Sequence, residues 1–270
     1  MLQGKFIKEN IEILRLLESG GTANVYEAYD HWAQKKVAVK ALYKSVYKDK
    51  FIRDKFKQEA NIYLKLTHPN IVKLKDFISS SDTDFLVMEY VEGLTLSNYI
   101  MTVSGPLADE QISSIFIQIM FGFAHAHHNG IFHLDIKPSN IMIDSKGIVK
   151  ILDFGISTLK DSKNNNGRLL GTPLYMSPEQ VQKKETNRLS DIYSLGVTLF
   201  YAATANLPFD NISISELFNK IIEEKLPRIE NYYPYANPQI QNIIDKATMK
   251  NPDSRYQTCE EFAYEIQNKL

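Results

Sequence analysis

A chain of 270 residues buries one large core or two modest ones, and 44% hydrophobic with 23% charged residues is ordinary for a soluble globular protein. Basic residues number 31 against 32 acidic, so a formal net charge of −1 excludes a global field that recruits nucleic acid or membrane. The single cysteine, Cys259, excludes an internal disulfide, and the most apolar run, LGVTLFYAATA at 195–205, falls far short of the ~20 residues that span a bilayer. The opening MLQGKFIKEN has no apolar leader core, so the expectation is a cytoplasmic chain, monomeric or weakly dimeric, with no membrane insertion by this segment.

The first 90 residues are strand-like. IEILRLLES, NVYEAYD and KKVAVKAL are short runs rich in β-branched and aromatic residues, and GGT at 20–22 joins the first two as a tight hairpin. FIRDKFKQEANIYLKL then carries Ile52, Phe56, Ala60, Tyr63 and Leu64 at helical spacing. Pro69 breaks that helix, and NIVKLKDFI and DFLVMEYV read as two more strands. Beyond EGLT (92–95) the pattern turns helical. DEQISSIFIQIMFGFAHAHHNG predicts one long helix with an acidic start and a stop at Gly130. Residues 131–155 read as short strands and loops, and DSKNNNGR (161–168) as an exposed, mobile loop. From RLSDIYSLGVTLFYAATA onward the chain is helical again, broken at LPF, YYPYANP and NPDS. The outcome is a small sheet lobe with one helix, then a larger helical lobe, with the ligand expected between them.

Four segments in order, SGGTANVYEA, VAVK, HLDIKPSN and DFG, carry a resemblance to the protein kinase family. GTPLYMSPEQ resembles the end of a kinase activation segment, while DIYSLGV and NPDSRY resemble the buried Asp and Arg of the helical lobe. KPSN and YMSPEQ are similar to the Ser/Thr class in its bacterial branch. The resemblance runs from about residue 11 to the C-terminus. It implies an α+β, bilobal fold over residues 1–270, with an N-lobe (1–88), a hinge (89–93) and a C-lobe (94–270).

The resemblance also implies the chemistry: transfer of the γ-phosphate of Mg·ATP to Ser and Thr hydroxyls of protein substrates. Phosphoryl transfer asks for positioning and charge neutralisation. Lys40 would reach the α/β-phosphates, held by Glu59 on the following helix. Asp135 would take or orient the proton of the substrate hydroxyl. Lys137, by resemblance, contacts the γ-phosphate, and Asn140 with Asp153 would hold Mg²⁺. Val25, Ala38 and Met142 fit an adenine slot, the backbone of Glu89 and Val91 its hydrogen-bonding edge, and Met88 the gatekeeper; Leu17, Gly20 and Gly21 complete the nucleotide site.

Departures from the family pattern define an alternative, a pseudokinase-type scaffold that binds nucleotide with little turnover. Glu18, Gly20 and Ala23 stand on the three glycine positions of the phosphate-covering loop, which works if Gly20 and Gly21 take strained torsions. Leu134 stands where the family has an Arg that pairs with a phosphorylated activation segment. Between Ser162 and Thr172 the chain reads KNNNGRLLG, without Ser, Thr or Tyr, so both halves of that switch are missing together. Ser157, Thr158 and Ser162 are the phosphosites that remain. Tyr201 matches a position that is often acidic in members selecting Arg-rich peptides, so a strong basic preference is not expected. His125, His127, His128 and His133 read as core and helix-end residues rather than a zinc set. The basic excess over residues 35–75 suits docking of an acidic partner but reads first as a solvated helix face.

Overall fold

The computed structural model describes residues 2–154, 158–159, 172–210 and 212–270. The polar stretch at 161–168, Ser157 and Ser162 lie outside the described residues. Contacts divide the chain into two compact units, the first ending at Glu92 and the second beginning at Gly93.

The first unit is a six-stranded sheet with one helix. Its strands are β1 (Phe6–Lys8), β2 (Ile11–Ser19), β3 (Ala23–Asp30), β4 (Lys35–Leu42), β5 (Leu74–Ser79) and β6 (Asp84–Glu89), ordered β1-β2-β3-β4-β6-β5 and antiparallel throughout. Residues 20–22 close the β2–β3 hairpin, with Gly20 N–H donating to Ala23 O at 2.9 Å. Strand alternation sorts β4 into two faces: Val37, Val39 and Ala41 join Ile11, Ile13, Tyr26, Ala28, Phe85 and Val87 in one core cluster. Each such buried aliphatic side chain contributes roughly 1.5–3 kcal/mol. Helix α1 (Lys50–Lys65) is capped by Asp49, whose carboxylate accepts from Phe51 N–H and Ile52 N–H. Phe56, Glu59, Ala60 and Tyr63, at i, i+3, i+4 and i+7, form its buried stripe.

The second unit is mainly helical. A small sheet, β10 (Val149–Ile151), β9 (Ile141–Asp144) and β7 (Gly93–Thr95), and a two-stranded ladder of β11 (Thr158–Leu159) on β8 (Ile131–Phe132) accompany the helices. The helices are α2 (Leu96–Tyr99, continued by a π turn over Ile100–Ser104), α3 (Asp109–His128), α4 (Pro178–Val181), α5 (Arg188–Thr204), α6 (Ile214–Glu223), α7 (Pro238–Ala247) and α8 (Cys259–Lys269). Helix α3 ends with Gly130 at φ +69°, the left-handed stop its sequence predicts. Every residue of α5 from Leu189 to Thr204 is buried, so α5 is the axis on which the unit packs. Gly196 lets α7 close on it: a Cβ there would come within 2.8 Å of Ala247 Cβ and 2.7 Å of Thr248 Cγ2.

One buried ion pair ties α4 to the segment before α8. Arg255, with a fully buried side chain, donates from Nη1 to Glu179 Oε1 at 2.8 Å and from Nη2 to Oε2 at 2.9 Å. Its remaining donors meet the carbonyls of Leu189, Met249 and Lys250, and Ser190 Oγ donates to Glu179 Oε1 at 2.7 Å. Burial alone would raise the Glu179 carboxyl, but the guanidinium's hydrogen bonds and charge, with Ser190, hold it below the usual carboxylate range. A depressed carboxylate contributes stability above its unfolded value and loses it as pH falls through the folded one. Arg255→Met leaves that carboxylate buried and unpaired, so urea unfolding should show a loss of about 3–5 kcal/mol at pH 7, partly recovered by adding Glu179→Gln. The gap between wild type and Arg255→Met should narrow as pH drops below about 4.

Candidate active site

In the first unit, register places the expected nucleotide residues together. Cross-strand partners share a face, and β3–β4–β6 pair Val25 with Lys40, Lys40 with Leu86, and Ala38 with Met88. Val25, Ala38, Lys40 and Met88 therefore occupy the face of the sheet opposite the Val37–Val39 core. Leu17 sits at a bulge of β2, where register shifts between Leu16 and Glu18, and is 40% exposed. Lys40 Nζ reaches across to α1 and donates to Glu59 Oε1 at 2.8 Å and Oε2 at 3.0 Å. Glu59 is 3% exposed, so this ammonium is clamped by a carboxylate that has little other access to water. Glu89 N–H donates to Lys73 O, and its carboxylate accepts from Lys73 N–H, which fixes the end of β6. Val91 follows it, half-buried.

The glycine loop departs from one expectation. Neither Gly20 nor Gly21 adopts a positive φ. The hairpin closes instead through the Gly20–Ala23 backbone bond and the Tyr43 hydroxyl, whose one proton is shared between Gly20 O at 2.8 Å and Asn24 Oδ1 at 2.9 Å. Strained torsions are unnecessary because a side chain from beyond β4 holds the turn.

In the second unit, the segment between β8 and β9 gathers the other expected residues. Asp135 accepts Thr172 N–H at 2.7 Å on Oδ1 and the Lys137 ammonium at 2.9 Å on Oδ2. Lys137 also donates to Thr172 Oγ1 at 2.8 Å. Asn140 Nδ2 donates to Asp135 O at 3.1 Å, which turns its amide oxygen to the other side. Leu152 N–H donates to Asn140 O at 2.8 Å, tying this loop to the strand that leads into Asp153. Asp153 is exposed, with φ +53°, and the next side chain, Phe154, is fully buried. One carboxylate and one amide oxygen are the hard-oxygen donors that Mg²⁺ takes beside phosphate, so the residues present fit that ion. Met142 in β9 is half-buried between the buried Ile141 and Ile143.

Beneath this loop lies Asp191, fully buried near the start of α5. It accepts His133 N–H and the His127 ring on Oδ2, and Leu134 N–H on Oδ1, all at 2.8 Å. Leu134 is in the left-handed region at φ +62°, a conformation that costs a non-glycine residue of order 1–3 kcal/mol. Asp191 grips its N–H and Gln180 Nε2 donates to its carbonyl at 2.8 Å, so both peptide groups around the strain are fixed. The Leu134 side chain is 4% exposed and adds apolar contact where an Arg would need a partner. His133 accepts Asp135 N–H on Nδ1 and meets Leu152 O through Nε2, which makes Nε2 the protonated nitrogen. Its ring centroid lies 4.8 Å from that of Phe154. The four histidines of the 125–133 stretch do not converge: His127 faces Asp191, His128 pairs with Glu260, and His133 lies under the loop. The sequence named Asp191 only as a buried acid; its grip on Leu134, and the part of Gln180, had no local signal.

A family model described as protein kinase domain matches residues 11–265. The serine/threonine-protein kinase PrkC of Bacillus subtilis (strain 168) is 42% identical over 269 residues, 98% of this chain and 41% of that protein. The probable serine/threonine-protein kinase PknB of Lactococcus lactis is 34% identical, covering 97% of this chain and 42% of its own. PknB of Mycolicibacterium smegmatis is 32% identical over 98% of this chain and 44% of its own. The chain thus spans about two fifths of the length of these relatives.

Asp191→Asn keeps the shape but offers one acceptor oxygen to three donors. It should cost about 2–4 kcal/mol in thermal or urea unfolding. Hydrogen exchange should speed up first at the amides of His133 and Leu134, before the rest of α5 responds.

Proposed function

The chain belongs to the protein kinase domain family, and from that premise we propose that it is an active Ser/Thr protein kinase whose substrates are ATP and Ser or Thr side chains of other proteins. The observation that carries the proposal is Asp135, with both oxygens oriented by Lys137 and Thr172 at the end of a gripped loop.

In this reading the substrate hydroxyl oxygen attacks the γ-phosphorus, the bond to the bridging oxygen breaks, and ADP leaves. Asp135 orients the hydroxyl and takes its proton as that bond forms. Lys137, already 2.9 Å from Asp135, neutralises charge on the γ-phosphoryl oxygens without reorganising. Lys40 contacts the α/β-phosphates, its position set by Glu59. Asn140 and Asp153 would hold Mg²⁺, which supplies charge neutralisation across the phosphates. For the adenine, the first unit offers Val25, Ala38 and the gatekeeper Met88, and the second unit offers Met142. The backbone of Glu89 and Val91 supplies the polar edge, and Leu17, Gly20 and Gly21 cover the phosphates. An ATP-dependent domain with one buried thiol suits the reducing cytoplasm. Among the described residues no helix is long and apolar enough to cross a membrane.

The scaffold alternative is not supported. A lost activity relaxes selection on the Lys40–Glu59 clamp and on the Asp135 cluster, yet both are assembled, and the compared relatives are named as kinases.

Lys40→Met and Asp135→Asn should each lower autophosphorylation with Mg·ATP by about 10²-fold or more with circular dichroism close to wild type. The melting temperature should stay close in Asp135→Asn and fall in Lys40→Met, which leaves Glu59 buried without that partner. Turnover near wild type in either variant would reject the role given to that residue. Leu134 leads to a separate expectation: the activation segment works without a phosphate. Complete phosphatase treatment, checked by mass spectrometry, should leave activity within about twofold of the untreated enzyme.

A further inference from the structure

Residues 35–75 carry twelve basic and three acidic side chains, and the fold gathers part of that excess around an open, solvent-exposed hollow. A cavity of about 520 Å³ opens where the segment after β4 meets the first turns of α1 and the turn before β6. Lys44, Lys48, Lys50, Arg53 and Lys57 line it, against two carboxylates, Asp54 and Asp82. Two of these cations are engaged. Lys44 pairs with Asp82, and Arg53 pairs with Asp84 at 3.3 Å, its guanidinium 4.4 Å from the centre of the Tyr47 ring. Lys48, Lys50 and Lys57 have no ion-pair partner among the described residues.

The first turn of α1 contains no acidic residue, and Lys50 begins the helix. Lys50 opposes the helix dipole, which the Asp49 cap offsets in part, and the five cations of the lining repel one another. The cluster therefore works against the free domain and in favour of an anionic guest.

We propose that this hollow docks a phosphorylated segment of a protein. A phosphorylated Ser or Thr brings nearly two negative charges and three acceptor oxygens, which match a local excess of three positive charges. The volume admits that side chain with a few flanking residues. The lining has no exposed apolar side chain beside its lysines to enter a bilayer, so a water-borne phosphate is the guest it suits. Single-stranded nucleic acid needs open aromatic faces, and the one aromatic residue in the lining, Tyr47, has its ring covered by Arg53. The inference rests on the kinase reading for the origin of the guest, since phosphorylated Ser and Thr are what that reaction makes.

The test is fluorescence anisotropy with a short labelled peptide carrying one phosphothreonine between aspartates, read at 0.1 M salt on the wild-type chain and on Asp153→Ala. Both should bind it, and the same peptide with plain Thr should bind about tenfold more weakly. Lys50→Ala with Lys57→Ala should also weaken binding about tenfold, with a melting temperature equal to or above wild type. Lys48→Gln with Lys57→Gln should repeat the loss, so a folding fault in one pair does not decide the outcome. Absence of binding, indifference to the phosphate, or undiminished binding in both lysine pairs would overturn the proposal. Tighter capture of a single-stranded oligonucleotide or of phosphatidylserine vesicles would overturn it too. Binding is read without turnover, and phosphotransfer is read separately with Mg·ATP. Failure of the docking site therefore leaves the kinase reading standing, and failure of the kinase reading leaves this measurement interpretable.

Discussion

The proposed chemistry depends on a buried carboxylate that lies beneath the Asp135 loop. Asp191 has no exposure to water, and among the described residues three hydrogen bonds compensate its charge. That dependence works in both directions. The loop satisfies the acid, and the acid holds Leu134 in a torsion the residue would not choose. His127 extends the arrangement to the outer helices, because its other ring nitrogen lies 3.6 Å from the Cys259 thiol at the start of α8. Burial pushes that thiol well above its usual range, so Cys259 stays protonated and is suited to donate to the ring. From α8 through His127 and Asp191 to Leu134, each group is fixed by the next.

The sheet of the first unit solves a different problem. Lys40 must stay charged and extended while its neighbours form a dry core. Alternation along β4 does this: Val37, Val39 and Ala41 turn to the core, while Ala38 and Lys40 turn away. Glu59 completes the arrangement from the buried stripe of α1, where an acid is costly unless it is paired. The clamp between Lys40 and Glu59 is thus as much a condition for packing α1 as a feature of the site.

Much of this was legible in the sequence, for identifiable reasons. Strands 11–19 and 35–42 are marked by short β-branched and apolar runs between turn-like breaks, and both bounds match the structure. The long helix was marked by its acidic start and by Gly130. Asn70–Ile78 was read as one strand, but β5 begins only at Leu74. Ile71 and Val72 are 1% and 3% exposed, so they carry the apolar, β-branched look of a strand while turning after Pro69 to plug the core. The short β7 could not be seen, because it exists only by pairing with β9, some 50 residues on. Site residues were legible as types in an ordered series. Their hydrogen-bond partners were not, because Asp135–Thr172 and Leu134–Asp191 join segments 37 and 57 residues apart.

Leu134 shows why such partners matter more than the motif. An Arg in its place would project a charge that needs a phosphate or another anion to justify its burial, and loop order would then depend on that anion. With Leu the side chain is buried without a charge to compensate. The ordering work moves to the backbone: Asp191 takes the N–H, Gln180 supplies a donor to the carbonyl, and α4 carries that Gln beside Glu179, which Arg255 locks in place. A strained peptide held at both ends by buried partners needs no added charge to stay in register. The constraint that a phosphate would impose from outside is supplied here by the packing of α4 and α5, which is permanent once the unit has folded.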